Sequence, residues 1–570
     1  MLNNGIVLTF MTIVFSFLLY FEVKKNRPEL LERVKPILNW FTKKFFKGLK
    51  FKNESEEEGI FVGKVKIPIK SVFLHSLTLG GTGSGKTATI FKPLMKQVME
   101  NKHYGATVLD PKGDLAKEMY ALGQFYSREV ILFDPLLPNV YFNPLQGKID
   151  EVVDTFTSVF ISTQVKDSPK YFQNAAEELL INAIKAVKYT KQEPTFEDIN
   201  NLIVRGKNPT FLDNLTKMID VEMDTNKRSE LEHIKSYFKN YFKDDSREYE
   251  DSSSVRTFFN KIMMNGKLKG LFCNSSRANH IDLDSHINIL NSSPRESSIL
   301  CISPGGVKIS KEDSVLTAEM KTFIGQLLIK YVQNEIFNRN GNEDTRRPHF
   351  LVIDEVQEFI NPGMSQIFTQ GRSYGLSCWV ATQSLLQLTE ADKAILLNAR
   401  NKIFLGGVPV SDIELFIKQF FKKREKSVSI SRSRSERNYT VGKNTSIVEK
   451  EQFEVAEILN SKIGTMYLTH INADGSQSEA KFTTANFLDK NIEQYIKLRA
   501  VLNDICFANG IEPTKDEEFV NWKIFALSNR LNVKVLEETL TEKGYPFKTE
   551  EYPLLQLKNG GKHRWKHSKY

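Results

Sequence analysis

The sequence predicts an α/β protein: a parallel sheet wrapped by helices and interrupted by a long all-helical insertion. Three observations predict it. A glycine-rich loop, Leu79-Gly80-Gly81-Thr82-Gly83-Ser84-Gly85-Lys86-Thr87, lies between an apolar run and a helix-like segment. A second apolar run, His349-Phe350-Leu351-Val352-Ile353, ends in the paired carboxylates Asp354 and Glu355. Around both, short apolar runs alternate with segments of helical period, the order of parallel strands joined by helices.

The loop fits G-x-x-x-x-G-K-[ST] in register, with Gly80, Gly85, Lys86 and Thr87 at the required places. A phosphate-binding loop needs these residue types. Glycines let the backbone wrap closely and aim its N–H groups, from Gly80 through Gly85, at the phosphates of ATP. Lys86 brings a mobile positive charge to the β/γ oxygens, and the Thr87 hydroxyl completes a Mg2+ shell. Asp354 is expected to hold that metal, directly or through water, and Glu355 to polarise the attacking water. Together the two segments read as an ATP hydrolase.

A chain of 570 residues is long enough for two to four domains and a large core. Seventy-eight Lys and Arg against 69 Asp and Glu leave a net charge of +9, which suits an anionic partner or a membrane surface. The four cysteines, Cys273, Cys301, Cys378 and Cys506, show no metal-ligand spacing, so a reduced compartment and no structural zinc are expected.

Met1–Phe21 carries no charged side chain, enough for one membrane-spanning helix, placed at 1–23. It lacks the basic n-region and cleavage site of a removable signal peptide. Lys24, Lys25, Arg27 and further basic residues follow at once in a juxtamembrane linker, 24–59. By the positive-inside bias the large part of the chain is then cytoplasmic, with a single-pass anchor in the inner membrane. Within the linker, Trp40–Lys47 mixes aromatics with lysines as an interfacial helix or an amphipathic linker would.

The first part of the nucleotide-binding domain is placed at 60–149. Strands are expected before the loop, at Ala106–Asp110 and at Val130–Pro135, with a helix from Thr87 to about Lys102 that Pro93 must kink or restart. From 150 to 295 the period is helical throughout, an all-helical inserted domain. Sheet character returns over 296–486, at Ser298–Ser303, in the Asp354 strand, at Leu376–Gln383, at Lys402–Gly406 and at Gly464–Ile471. Lys422–Lys443 is polar and basic, and reads as a solvated loop or hairpin ahead of a dedicated nucleic-acid contact. A small C-terminal region, 487–570, ends in a basic aromatic tail, Lys562–Tyr570.

From His75 to Leu405 the chain resembles the type IV coupling proteins, the TraD/TraG class of membrane-anchored ATPases of conjugation and type IV secretion. The resemblance rests on the Gly80–Thr87 loop, Leu109-Asp110-Pro111-Lys112-Gly113-Asp114-Leu115, Phe133-Asp134-Pro135 with Asn143-Pro144-Leu145, Val352-Ile353-Asp354-Glu355, Gly371-Arg372-Ser373-Tyr374-Gly375 and Ala381-Thr382-Gln383-Ser384. The Asp-Pro-Lys-Gly-Asp block discriminates best, since generic P-loop ATPases lack it. The resemblance implies a RecA-like nucleotide-binding domain with the helical insertion, assembled as a hexamer around a channel. It implies partners too: a relaxase or relaxosome with its bound single-stranded DNA, or an effector protein, and the inner-membrane components of the secretion channel. Gln383 matches the position that senses the γ-phosphate, where a neutral amide can donate to phosphate and accept from water. Arg372 matches an arginine finger reaching a neighbouring subunit's nucleotide.

Two departures stand out. Most relatives have two N-terminal membrane helices where this sequence offers one, and the acidic tail of some relatives is replaced by a basic end. Three rival readings are a nucleotide-gated receptor for a relaxase or secreted protein, a coupler of protein effectors only, and a septal DNA translocase. The last typically has several membrane helices and a winged-helix end, neither of which is visible here.

Overall fold

The computed structural model describes residues 58–137, 141–204, 208–243, 246–274, 281–289, 292–305, 316–435 and 438–508, with Pro513 and Glu538. The expected membrane helix, the Trp40–Lys47 segment and the basic tail lie outside these residues. Among those described, no helix is long and apolar enough to cross a membrane.

The apolar runs form strands β1 Gly59–Val62, β2 Val65–Pro68, β3 Ser76–Leu79, β4 Gly105–Leu109, β5 Val130–Phe133, β6 Ile299–Ile302 and β7 His349–Ile353. They continue as β8 Leu376–Thr382, β9 Asn401–Phe404, β10 Lys422–Ser435, β11 Asn438–Glu451, β12 Thr465–Thr469 and β13 Lys481–Thr484. Nine of them make one sheet in the order β13-β12-β9-β3-β8-β7-β4-β6-β5. From β9 to β5 every pairing is parallel, and β12 and β13 add an antiparallel edge. β1 and β2 pair separately, as do β10 and β11. The basic stretch Lys422–Lys443 therefore spans one strand of a hairpin and the first part of the other.

Parallel strands covered on both faces must be apolar on both. On β7, Leu351 and Ile353 enter one core while Phe350 and Val352 enter the other; on β8, Cys378 and Val380 oppose Trp379 and Ala381. One face is covered by α1 Lys92–Glu100, α2 Asp114–Phe125 and a late helix, Lys490–Ala508. Lys92 ties these three together, with Nζ 2.8 Å from Glu118 and 2.7 Å from Glu493. The first C-terminal helix thus packs in the layer that begins at the phosphate loop.

Between residues 149 and 287 the described residues form helices and no strand. This insertion shares the core of the opposite sheet face. Phe156, in the helix Ile149–Gln164, has its ring 5.1 Å from Phe196, 5.9 Å from Phe259 and 5.7 Å from Phe323. Phe323 belongs to Ala318–Phe337, the helix leading back toward β7. Aromatic packing of this kind makes the insertion continuous with the sheet layer.

Pro93 acts as a restart. A π-helical turn, Thr87–Phe91, opens the helix after the loop, and α1 follows with Pro93 in its first turn, where a missing N–H costs least.

His75 sets the entry of β3. Its φ is 63°, and its buried ring accepts a hydrogen bond at Nδ1 from the Cys378 N–H, 3.1 Å away. Burial lowers its pKa from 6.5 to about 4, against a hydrogen bond to the Ile367 backbone that raises it. Between these values the unfolded chain binds a proton that the folded chain does not, so folding should lose up to about 3 kcal/mol as pH falls from 6.5 to 4. His75→Asn, whose amide tolerates the left-handed backbone, should flatten the fall of Tm across that window. An unchanged pH profile would contradict this account.

Candidate active site

Strand order brings the site together. β8 lies between β3, which leads into the loop, and β7, which leads into the carboxylates. All three are parallel, so Gly80, Gln383 and Asp354 leave the same edge of the sheet, the edge where open α/β sheets bind ligands. The Gly80 N–H donates to Thr382 O at 3.2 Å, and the Asp354 N–H donates to Leu109 O of β4 at 3.0 Å.

The loop is held from behind by Gly406 and Gly407, which follow β9. The Gly81 N–H donates to Gly406 O at 3.2 Å. A Cβ on Gly81 would stand 1.8 Å from Gly407 O, so no larger residue fits there. Gly83 and Gly85 take φ of 75° and 89°, which curls the chain over the start of the helix. Lys86 is buried, its Nζ donating to Gly80 O at 2.7 Å. Burial lowers its pKa, and the charges of Glu355 and Asp354 oppose that. The Ser84 hydroxyl is shut off from solvent with no hydrogen-bond partner among the described residues. An enclosed donor beside a curled backbone, a lysine and a helix start fits the phosphate oxygens of a nucleotide.

Thr87 and Asp354, assigned to a metal, are in contact: Thr87 Oγ1 donates to Asp354 Oδ2 at 3.1 Å. Burial, then the neighbouring Glu355 charge, raises the Asp354 pKa; Lys86 and the Thr87 hydroxyl offset this in part. An anionic oxygen disfavoured by its surroundings beside a hydroxyl fits a divalent cation.

Glu355 sits in the left-handed region, φ 51° and ψ 54°, at the turn out of β7. Such a backbone costs a non-glycine residue about 1 kcal/mol or more and persists only where neighbours impose it. They do so at both oxygens. Gln383 Nε2 donates to Oε1 at 2.8 Å, Gln357 Nε2 donates to Oε2 at 2.7 Å, and Lys112 Nζ lies 3.7 Å from Oε1. Burial alone would raise the Glu355 pKa, but these hydrogen bonds with the Lys86 and Lys112 charges bring it below the usual value. Glu355 is thus held as the carboxylate. The other end of the Gln383 amide reaches the loop, Oε1 accepting from Thr82 Oγ1 at 2.9 Å.

Arg372 is elsewhere. It precedes β8 at the opposite end of that seven-residue strand from Gln383, on the order of 20 Å away. It is half exposed, with Nε 3.3 Å from Glu343 Oε1. It cannot serve this chain's own loop.

Sequence reasoning missed Gln357, Gly407 and Asp412. Asp412 is buried, and its Oδ2 accepts from Ser384 Oγ at 2.7 Å and the Leu385 N–H at 3.0 Å, pinning the turn that carries Gln383. For Gly407 the Gly406-Gly407 pair after a core strand was a usable signal; for Asp412 there was none.

The Asp110–Asp114 block divides its labour. Buried Asp110 accepts from the Lys112 N–H at 3.0 Å and the Leu115 N–H at 2.8 Å, capping α2, and burial raises its pKa to about 6. Lys112 is exposed and reaches Glu355. Asp110→Ala should therefore lower stability by about 1–2 kcal/mol, read as a fall in Tm, with nucleotide affinity within a few-fold of the parent. Lys112→Ala should leave Tm unchanged and slow nucleotide hydrolysis. An Asp110→Ala variant that keeps its Tm and loses nucleotide would reverse the two roles.

Comparison with known proteins adds the following. The solved structure of the plasmid coupling protein TrwB in complex with ADP and Mg2+ is similar in fold, with TM-score 0.51 and 15% identity over 77% of this chain and 92% of that one. TrwB in complex with a non-hydrolysable ATP analogue matches with TM-score 0.51 and 14% identity over the same shares. The unbound bacterial conjugative coupling protein TrwB matches with TM-score 0.51 and 14% identity, over 76% of this chain and 89% of that one. At such identities the likeness establishes the fold. No curated protein matches in sequence. Residues 59–452, which hold every site residue described above, match the type IV secretion-system coupling protein DNA-binding domain, and the chain belongs to that family.

Proposed function

We propose that this chain is an inner-membrane ATPase that couples a relaxase-bound DNA strand, or an effector protein, to a type IV secretion channel and drives DNA translocation by ATP hydrolysis. The observation that carries the reading is one hydrogen-bonded path, from Thr82 on the phosphate loop through Gln383 to Glu355. A protein that only docks its cargo has no need of an ionised carboxylate wired to the loop.

ATP is the substrate and Mg2+ the cofactor, which supplies positive charge to the β/γ oxygens. Thr87 and Asp354 would hold the metal, and Lys86, now donating to Gly80 O, would serve the phosphates. Glu355 accepts the proton of the attacking water, and Gln383 orients that water and links its position to Thr82. Arg372 completes the site of a neighbouring copy in a hexamer, since it lies at the wrong end of β8 to act on its own. The 1–23 segment anchors the chain, with the sheet and insertion cytoplasmic.

Glu355→Gln tests this against the nucleotide-gated receptor. ATP binding should persist, kcat should fall by about 10²–10⁴-fold, and DNA transfer between cells should be lost. Unimpaired transfer with hydrolysis abolished would replace the motor by the receptor.

A further inference from the structure

The ribbon β10–β11 is unlike the rest of the fold. Its strands are 14 residues each, where five or six is usual, and among the described residues it pairs with no other strand. A two-stranded hairpin alone in water is only marginally stable, so one about 45 Å long calls for a partner. Its root is firm: the Phe421 ring lies 6.2 Å from Phe404 at the end of β9 and 5.9 Å from Phe453, and the Gln452 N–H donates to Phe421 O at 3.0 Å. β9 in turn leads into Gly406 and Gly407 behind the phosphate loop.

Register sorts the ribbon into two rows, because residues two apart on a strand and residues directly opposite share a face. In one row every second residue from Ser427 to Ser435 is serine, and their cross-strand partners are small and uncharged. The other row carries Lys426, Arg432, Arg434, Tyr439 and Lys443 among β-branched residues. At the root, cations of this row are matched by carboxylates across the ladder, Lys422 with Glu451 and Arg424 with Glu449. Farther out they are not: Arg432 is opposite Val441, Arg434 opposite Tyr439, and Lys443 opposite Ile430. From Ser427 to Ser446 the chain has four cations and one carboxylate.

Cations without cross-strand carboxylates, an aromatic residue in the same row and a row of hydroxyls on the other are the chemistry of a nucleic-acid strand: phosphates, bases and sugar edges. The family match also runs to residue 452, one residue past the ribbon, so the whole ribbon lies within it. We propose that the outer half of β10–β11 is a DNA contact, in which Arg432, Arg434 and Lys443 neutralise phosphates and Tyr439 stacks on a base. The proposal rests on the DNA reading above and deepens it by naming the element that grips the strand.

The test uses the full-length chain in detergent and a labelled single strand, titrated at several salt concentrations, with DNA-independent ATP hydrolysis as the check on folding. Arg432→Gln, Arg434→Gln and Lys443→Gln combined should lower the salt slope of log affinity by about 2, from about 0.7 per phosphate contact, and cost at least about tenfold at low salt. Tyr439→Ala should cost about tenfold with the slope unchanged. Ser431→Ala with Ser433→Ala, in the opposite row, should leave affinity intact. Equal affinity and slope for the triple variant and a parent that binds DNA would overturn the proposal, as would an equal loss in the serine variant. A parent that does not bind the strand would overturn the DNA reading itself.

Discussion

The site depends on the placement of one amide. Gln383 spans the gap between a loop hydroxyl and a carboxylate, 2.9 Å from Thr82 and 2.8 Å from Glu355. It can do so only because β8 is inserted between β3 and β7 and all three run the same way. Were β8 at the sheet edge, the amide would miss both partners. Much else serves that placement. Asp412 fixes the turn after Gln383, Gly407 supports the loop from behind, and His75 sets the entry of β3 while its ring accepts from the backbone of β8.

Two adjacent carboxylates are driven in opposite directions. Asp354 is raised by burial and by its neighbour, while Glu355 is lowered by two amides and two ammonium groups. That contrast suits the roles proposed for the pair, a metal-side oxygen at Asp354 and an ionised proton acceptor at Glu355. The left-handed backbone at Glu355 is what turns successive side chains apart, and the hydrogen bonds at both of its oxygens hold that conformation.

Most of the residues that meet at the site were legible in the sequence. Its support was not. Loop glycines, Lys86, Thr87 and the strand ending in Asp354 stand out because a phosphate-binding loop and its metal would restrict residue types at fixed spacing. The core strands were equally legible, since strands buried on both faces read as unbroken apolar runs. Gln357 and Asp412 are ordinary polar residues whose meaning comes from a contact across the fold, and no local pattern encodes it. The division of labour between Asp110 and Lys112 is of the same kind: both belong to one sequence block, but only the turn geometry makes one a helix cap and the other a contact of Glu355. The basic stretch from Lys422 was readable as a loop or hairpin, but its two rows emerge only once the register with Asn438–Glu451 is known. Pro93 was legible as a break, and the π-helical turn before it shows how the chain absorbs one without losing the helix.

The proposal stands or falls on whether hydrolysis at this loop is coupled to a DNA strand. The most direct measurement is ATP turnover by the chain lacking the first 58 residues, with and without single-stranded DNA, beside Lys86→Ala. Turnover should rise with DNA and disappear in Lys86→Ala. Turnover indifferent to DNA in protein that is demonstrably hexameric would contradict it.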